Sequence, residues 1–257
     1  MKTSAIGWTD VSGGDLNFVT GCTPVSEGCA NCYARAIYDR FGRDFSTVTL
    51  HYEKIRRLWL KKYPQYSPKR GAPHKPMCFV CDTGDLFHER LFKHEQIVWP
   101  ALDLLARRQD VIWQVLTKRP ERMCEEVKGW CEANNVETLP ANVWLGVTVE
   151  NAARLRERYP LLELTPAKTK FLSIEPMLEP MAEAPYMASA LDTVDWVICG
   201  AESGPHRRPF DVQWAVDLYE VCQSNCKPFF GKQDSALYPG APLVLGEYGV
   251  VHEWPEN

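Results

Sequence analysis

Gly21-Cys-Thr-Pro-Val-Ser-Glu-Gly-Cys-Ala-Asn-Cys-Tyr-Ala34 sets three cysteines, Cys22, Cys29 and Cys32, within eleven residues of chain that also holds Gly21, Pro24 and Gly28. Glycine and proline at this density make poor core material and favour a loop, whereas clustered thiolates are good metal ligands. A structural zinc ion or a ferredoxin-type cluster takes four protein ligands. Three thiolates leave one coordination position for a substrate or cofactor, which is the arrangement of a reactive iron-sulfur cluster. Zinc binding or plain burial are the alternatives for the same residues, because free cysteine often packs as a small hydrophobe. Cys32 is expected to open a helix, where oriented backbone N–H groups stabilise a negative sulfur.

Downstream of this loop, short β-branched or aromatic runs alternate with helical patterns, which argues for repeated βα units and a parallel sheet. The expected strands cover 14–20, 77–82, 111–116, 143–149, 170–174, 194–199 and 228–230. Apolar positions at three- and four-residue spacing predict amphipathic helices over 91–108, 121–133, 151–159 and 212–222. Six or seven such units make an α/β fold, a full or partial (βα)6-7 TIM-like barrel. Residues 1–257 read as one domain, with an irregular cap over 234–257 where Pro239, Gly240, Pro242, Gly246 and Gly249 interrupt any regular pattern. Parallel α/β architectures carry their sites at the carboxyl ends of the strands.

Composition narrows the function class. A chain of 257 residues with 45% hydrophobic content can bury one large core. The formal net charge is -4 and the pI about 5.9, so no global basic field attracts nucleic acid and any such contact must be local. No apolar run reaches the roughly eighteen residues needed to span a bilayer, and the N-terminus lacks a basic-then-apolar signal segment. A cytoplasmic protein with no membrane partner is expected. Ten cysteines without a signal segment point to thiolate chemistry in a reducing compartment rather than to disulfides.

The cysteine triad, followed by aromatic Tyr33 and the start of a helix, resembles that of the radical S-adenosylmethionine (SAM) superfamily, with a first gap of six residues in place of the usual three. The rest of the chain is similar to a phage-associated family of radical-SAM-like proteins with a three-cysteine motif. The similarity rests on Ile6-Gly-Trp-Thr-Asp10, Asp82-Thr-Gly-Asp-Leu-Phe-His-Glu89, Leu116-Thr-Lys-Arg-Pro-Glu-Arg122, Asn142-Val-Trp-Leu-Gly-Val-Thr-Val-Glu-Asn151, Phe171-Leu-Ser-Ile-Glu-Pro176 and Gly200-Ala-Glu-Ser-Gly204. It implies a barrel of radical SAM type and a 4Fe-4S cluster on Cys22, Cys29 and Cys32. It also implies bound S-adenosyl-L-methionine and an external electron donor such as flavodoxin or ferredoxin. The host cytoplasm would be the location if the chain is phage-encoded.

The same resemblance implies a SAM amino-group motif after the second strand, for which Thr83, Gly84 and Asp85 are the candidates. Gly84 lets backbone approach closely and Asp85 offers an acceptor. An ordinary strand-to-helix turn with Asp85 as cap is the alternative. Gln114, Thr117, Lys118, Glu150 and Asn151 stand at the exits of the next two expected strands and could hold adenosine hydroxyls, the SAM carboxylate or substrate. Glu175 and Glu202 occupy equivalent exits, and Lys118, Glu175 and Glu202 are the candidates for catalysis. Helix capping favours the same residue types and is the competing reading for each. The other cysteines lack partners at metal spacing. Cys78 and Cys81 would face opposite sides of one strand, and Cys124, Cys131, Cys222 and Cys226 suit helix packing.

Between 53 and 75, eight Lys or Arg residues oppose one acid and alternate with Trp59, Tyr63 and Tyr66. Basic charge with interleaved aromatics suits phosphate attraction and base stacking, and the segment is expected to flank the barrel mouth. A solvated face of an amphipathic helix fits the same pattern. The expected activity is radical rearrangement, modification or repair of a nucleobase or nucleotide, with DNA as a possible carrier. Radical modification of a partner protein or peptide, and a non-catalytic metal-stabilised nucleic-acid-binding module, stay open as alternatives.

Overall fold

The computed structural model describes residues 3–91 and 97–256. A small antiparallel ribbon, β1 (Val19–Thr20) with β2 (Thr49–Leu50), precedes the main sheet. That sheet has six parallel strands in sequence order: β3 (Met77–Val80), β4 (Ile112–Thr117), β5 (Leu139–Thr148), β6 (Ala167–Ile174), β7 (Trp196–Cys199) and β8 (Phe229–Gly231). The helices are α1 (Tyr33–Arg40), α2 (Tyr52–Leu60), α3 (Val98–Arg107), α4 (Pro120–Ala133), α5 (Ala152–Leu164), α6 (Met187–Thr193) and α7 (Val212–Ser224). The sheet curls into a half-barrel, so the expected α/β partial barrel of βα units is the observed architecture.

The two faces of the sheet carry different cores because side chains alternate along each strand. Trp113, Val115, Leu145, Leu172 and Val197 point outward into the helix-facing core. Phe79, Trp144, Phe171, Trp196 and Phe230 point into the lumen, where Trp144 and Trp196 meet edge to face at 5.8 Å. Gly146 faces Phe171 so closely that a Cβ would lie 2.4 Å from the ring. Trp8 plugs the lumen from the N-terminal segment, 4.5 Å from the Phe79 ring. This gives the Ile6 to Asp10 motif a packing role, reinforced by Asp10, whose carboxylate accepts from Met77 N at 2.8 Å.

Both open edges of the half-barrel are covered, which removes the pairing hazard of a bare edge. Residues 10–21 run beside β3, with Cys81 N donating to Leu16 O at 3.0 Å and Gly21 N to Thr83 O at 3.0 Å. The C-terminal tail pairs with β8, through Gly231 N to Val251 O at 2.9 Å. The strand expected over 14–20 is a correction. Gly13 and Gly14 take φ of 74° and 58°, so the chain forms a turn over Gly14–Leu16 and leaves only Val19–Thr20 extended. The helix expected over 91–108 is Val98–Arg107, and positions 92–96 lie outside the described residues.

The basic segment does not flank the mouth along its length. Leu58 of α2 is buried against the outer core, and Arg108 holds the helix C-terminus by donating to Leu58 O at 2.6 Å and Lys61 O at 2.9 Å. Lys69 N then donates to Asp10 Oδ1 at 3.0 Å, beside the start of β3, and Arg70 Nη2 to Pro255 O at 2.7 Å. The stretch after α2 therefore sits at the amino ends of the strands. Among the described residues no helix is long and apolar enough to cross a membrane.

Candidate functional site

A cavity of about 140 Å³ opens at the carboxyl ends of β3, β4 and β5, and Cys22, Cys29 and Cys32 all line it. These three are the half-buried members of the ten free cysteines; Cys226 is exposed and the rest are buried. Lys118, Arg119, Tyr33 and Arg35 share the wall, with Asp82, Gly84 and Asp85 from the turn after β3. Among the described residues no three His, Cys, Asp or Glu side chains converge on a single metal-ion position. Cys32 occupies the N-cap position of α1, as expected, and its carbonyl accepts from Ala36 N at 3.1 Å.

Close backbone approach and two buried carboxylates hold the cysteine loop in place. A Cβ on Gly28 would lie 2.3 Å from Glu150 Oε1, so the loop rests on that carboxylate. Glu150 in turn accepts from Ser26 Oγ at 2.7 Å and from Arg158 Nη1 at 3.1 Å, both glutamate and arginine side chains being fully buried. At the other end of the loop, Asn31 Nδ2 donates to Glu202 Oε2 at 2.9 Å, and Glu202 is clamped by Arg208. Gly84 admits the Val19 carbonyl at a distance that a Cβ would close to 2.6 Å, which lets the strand feeding Cys22 lie against the turn after β3.

Arg119, at the N-cap of α4, joins the first cysteine to this turn. Its Nη1 donates to Cys22 Sγ at 3.3 Å and to Asp85 Oδ2 at 3.2 Å, and its Nη2 to Thr23 O at 3.0 Å. Burial opposes the Arg119 charge, but Asp85, Glu89 and Cys22 outweigh it and hold the guanidinium protonated. Burial pushes Glu89 up as well, yet the bond from Arg119 brings it down to about 2. For Cys22, burial and the Asp85 charge win over Arg119 and push the thiol up to about 11. Burial also acts on Cys29, where hydrogen bonding to the Val25 backbone and the Lys118 charge prevail and hold the thiol below its ordinary value.

The residues expected from sequence separate into three groups. Gly84, Asp85, Thr117 and Lys118 line the cavity together with the cysteines. Asp85 has little spare acceptor capacity, because Thr117 Oγ1 donates to it at 2.7 Å and Phe87 N at 3.0 Å in addition to Arg119. Thr83 contributes its carbonyl to Gly21 N rather than a side chain to the cavity wall. Glu150 and Glu202 stand just behind the cysteine loop as its anchors, and Glu175 pairs with Lys232 across the exits of β6 and β8.

Gln114 and Asn151 lie outside the cavity wall, one engaged in packing and the other in capping. Gln114 is buried in the lumen and donates to Trp8 O at 3.3 Å, while Asn151 Oδ1 caps α5 by accepting from Arg154 N at 2.9 Å. Sequence reasoning missed Arg119, Arg35 and Thr148 as wall residues. Arg119 was findable from its place directly before Pro120, since a cation at a strand exit and helix start needs a nearby acid.

The chain matches the family described as "Protein of unknown function (DUF5131)" over residues 3–240. No curated protein matches it. Among solved structures it is similar to spore photoproduct lyase complexed with dinucleoside spore photoproduct, at 10% identity and a TM-score of 0.50, covering 87% of this chain and 75% of that one. A cysteine-to-alanine variant of the lyase with the same dinucleoside gives 11% identity, a TM-score of 0.51 and the same coverage. A double variant with bound AdoMet and the dinucleoside gives 10% identity, a TM-score of 0.50 and coverage of 86% and 75%. At this identity the likeness concerns the fold alone, a half-barrel of parallel strands. With its match running over residues 3–240, this chain belongs to the DUF5131 family.

Proposed function

We propose that the protein is a radical SAM enzyme that acts on a nucleobase or nucleotide. The observation that carries this reading is that Cys22, Cys29 and Cys32 reach one cavity at the carboxyl ends of a parallel half-barrel. The residues present fit a three-thiolate 4Fe-4S cluster, being free, partly accessible and grouped around shared space. When bound, the cluster and S-adenosylmethionine supply one-electron cleavage of the sulfonium, giving methionine and a 5′-deoxyadenosyl radical able to abstract hydrogen.

The chain's own residues fix and polarise this space. Cys32 stands at the N-cap of α1, which fixes where the third cysteine meets the cavity. Arg119 orients Cys22, and Glu150 and Glu202 hold the loop at Ser26 and Asn31. Lys118, only loosely paired with Glu150 at 3.7 Å, and Arg35, whose buried Nε has no partner among the described residues, offer cations to a carboxylate or phosphate. Pockets for whole ligands span about 300–1,000 Å³, so a nucleoside cofactor would lie partly across the open mouth of this smaller cavity. An external one-electron donor such as flavodoxin or ferredoxin completes the requirements.

The nucleotide part of the reading is supported by the fold's likeness to structures holding AdoMet and a dinucleoside. Its test is product analysis. Reduced, cluster-loaded protein is incubated with SAM and candidate single- and double-stranded nucleic acids, including ultraviolet-damaged DNA, and the nucleosides are digested and weighed by mass spectrometry. A SAM-dependent change in one nucleoside supports the proposal, and unchanged nucleosides alongside a modified peptide would redirect it to a protein substrate.

A further inference from the structure

Helix α1 packs through Ala34 and through Tyr38, whose ring meets Phe45 edge to face at 5.0 Å, and leaves its other large apolar side chains outside the core. Ala34 is its one buried residue, while Tyr33, Ile37 and Phe41 at the next position form a stripe at four-residue spacing with exposures of 50%, 39% and 68%. Side chains so spaced lie on one face of a helix. Exposed apolar residues scattered singly need no explanation, but a contiguous run beside a site marks an interaction surface. The stripe begins inside the site, because Tyr33 and Arg35 also line the cysteine cavity. Its charge is one-sided: residues 33–43 carry Arg35, Arg40 and Arg43 against Asp39 alone, in a chain whose net charge is -4. Asp44, the next acid, is engaged by Ser46 Oγ at 2.9 Å and Thr47 Oγ1 at 2.7 Å.

We propose that α1 and the turn after it form the track on which a single-stranded nucleic acid lies while its reacting nucleotide is held at the cavity mouth. The inference rests on the nucleotide reading above and names the surface that would deliver such a substrate. Tyr33 and Phe41 present ring faces to bases, and Arg40 and Arg43 contact phosphates, the combination that binds single strands without reading sequence. The expected basic segment 53–75 does not take this part, since Lys69 and Arg70 are tied to Asp10 and Pro255 at the opposite end of the barrel.

The test measures fluorescence anisotropy of a labelled single-stranded DNA oligonucleotide with the full chain, iron-free and cluster-loaded, across a salt series. The double variant Arg40→Glu/Arg43→Glu should lower affinity at least about tenfold. It should also flatten the dependence of log affinity on log salt by about 1.4, roughly 0.7 for each single-strand phosphate that is no longer neutralised. Phe41→Ala should weaken binding at least about fivefold, the low end for one stacked base. Lys62→Glu/Lys75→Glu, which makes the same charge change on exposed positions away from α1, should bind as the parent does. Iron loading and melting temperature confirm that each variant is folded.

Equal losses in the α1 and the control variants would overturn the proposal, and so would parent-like binding by the α1 variants. Absence of oligonucleotide binding by the parent at low salt, with SAM still cleaved, would overturn it while leaving the radical SAM reading intact. If the α1 variants keep DNA binding but lose reduction by flavodoxin, the stripe is an electron-donor dock and the proposal fails.

Discussion

Arg119 Nη1 lies 3.3 Å from the Sγ of Cys22, a residue 97 positions earlier in the chain. The same guanidinium pairs with Asp85, and both side chains are only 7% exposed. One buried cation thus ties the cysteine loop, the turn after β3 and the start of α4 into a single unit. Removing one partner of a buried pair leaves the other charge uncompensated in a poorly solvated place. Arg119→Met is therefore expected to destabilise the fold by about 3–5 kcal/mol. Urea denaturation of the iron-free chain measures this, and a loss below about 1 kcal/mol, the range of exposed pairs, would show that the pair is not desolvated.

Gly28 marks the tightest contact between the cysteine loop and the barrel. Adding a methyl group there brings a Cβ to 2.3 Å from the Glu150 carboxylate, which cannot retreat because Arg158 and Ser26 hold it. Gly28→Ala should cost on the order of 1–3 kcal/mol, as overpacking does, and should reduce iron uptake with all three cysteines still present. Iron per chain after anaerobic loading is the readout, and full loading with unchanged stability would mean that the loop does not rest on Glu150.

Lys118 is the sequence-expected residue best placed to meet a ligand. It lines the cavity, and its ion pair with Glu150 is long at 3.7 Å. Lys118→Ala should leave iron content intact and weaken SAM binding by about 1.5–3 kcal/mol, the contribution of a hydrogen bond to a charged group. Equilibrium binding of SAM to the loaded protein checks it. Unchanged affinity would move the cofactor's anionic end to Arg35.

Much of the barrel was legible in the sequence because buried parallel strands read as continuous apolar runs. Val143-Trp144-Leu145 and Trp196-Val197-Ile198-Cys199 sit where those runs predict, with alternate residues feeding the outer core and the lumen. The first expected strand failed because φ at Gly13 and Gly14 is positive, which apolar content at Leu16 and Phe18 does not reveal. Gln114 and Asn151 look like strand-exit ligands in sequence, yet one faces the lumen beneath Trp8 and the other caps a helix. The Arg119 to Cys22 contact was invisible, since it joins segments that only the folded sheet brings together. The basic run over 53–75 misled in the same way, its charge being spent in part on the two chain ends, where Lys69 Nζ donates to Ser4 O at 3.2 Å and Arg70 Nη2 to Pro255 O at 2.7 Å.

On the proposed function, Cys22, Cys29 and Cys32 hold a cluster that supports SAM cleavage. Its most direct measurement is 5′-deoxyadenosine, quantified by mass spectrometry after anaerobic loading with iron and sulfide, reduction with dithionite and addition of SAM. The parent chain and Cys222→Ala, altered at a buried cysteine outside the cavity, should hold about four irons and form 5′-deoxyadenosine, whereas Cys29→Ala should lose both. Stoichiometric zinc in place of iron, or equal 5′-deoxyadenosine from Cys29→Ala and the parent, would contradict the account.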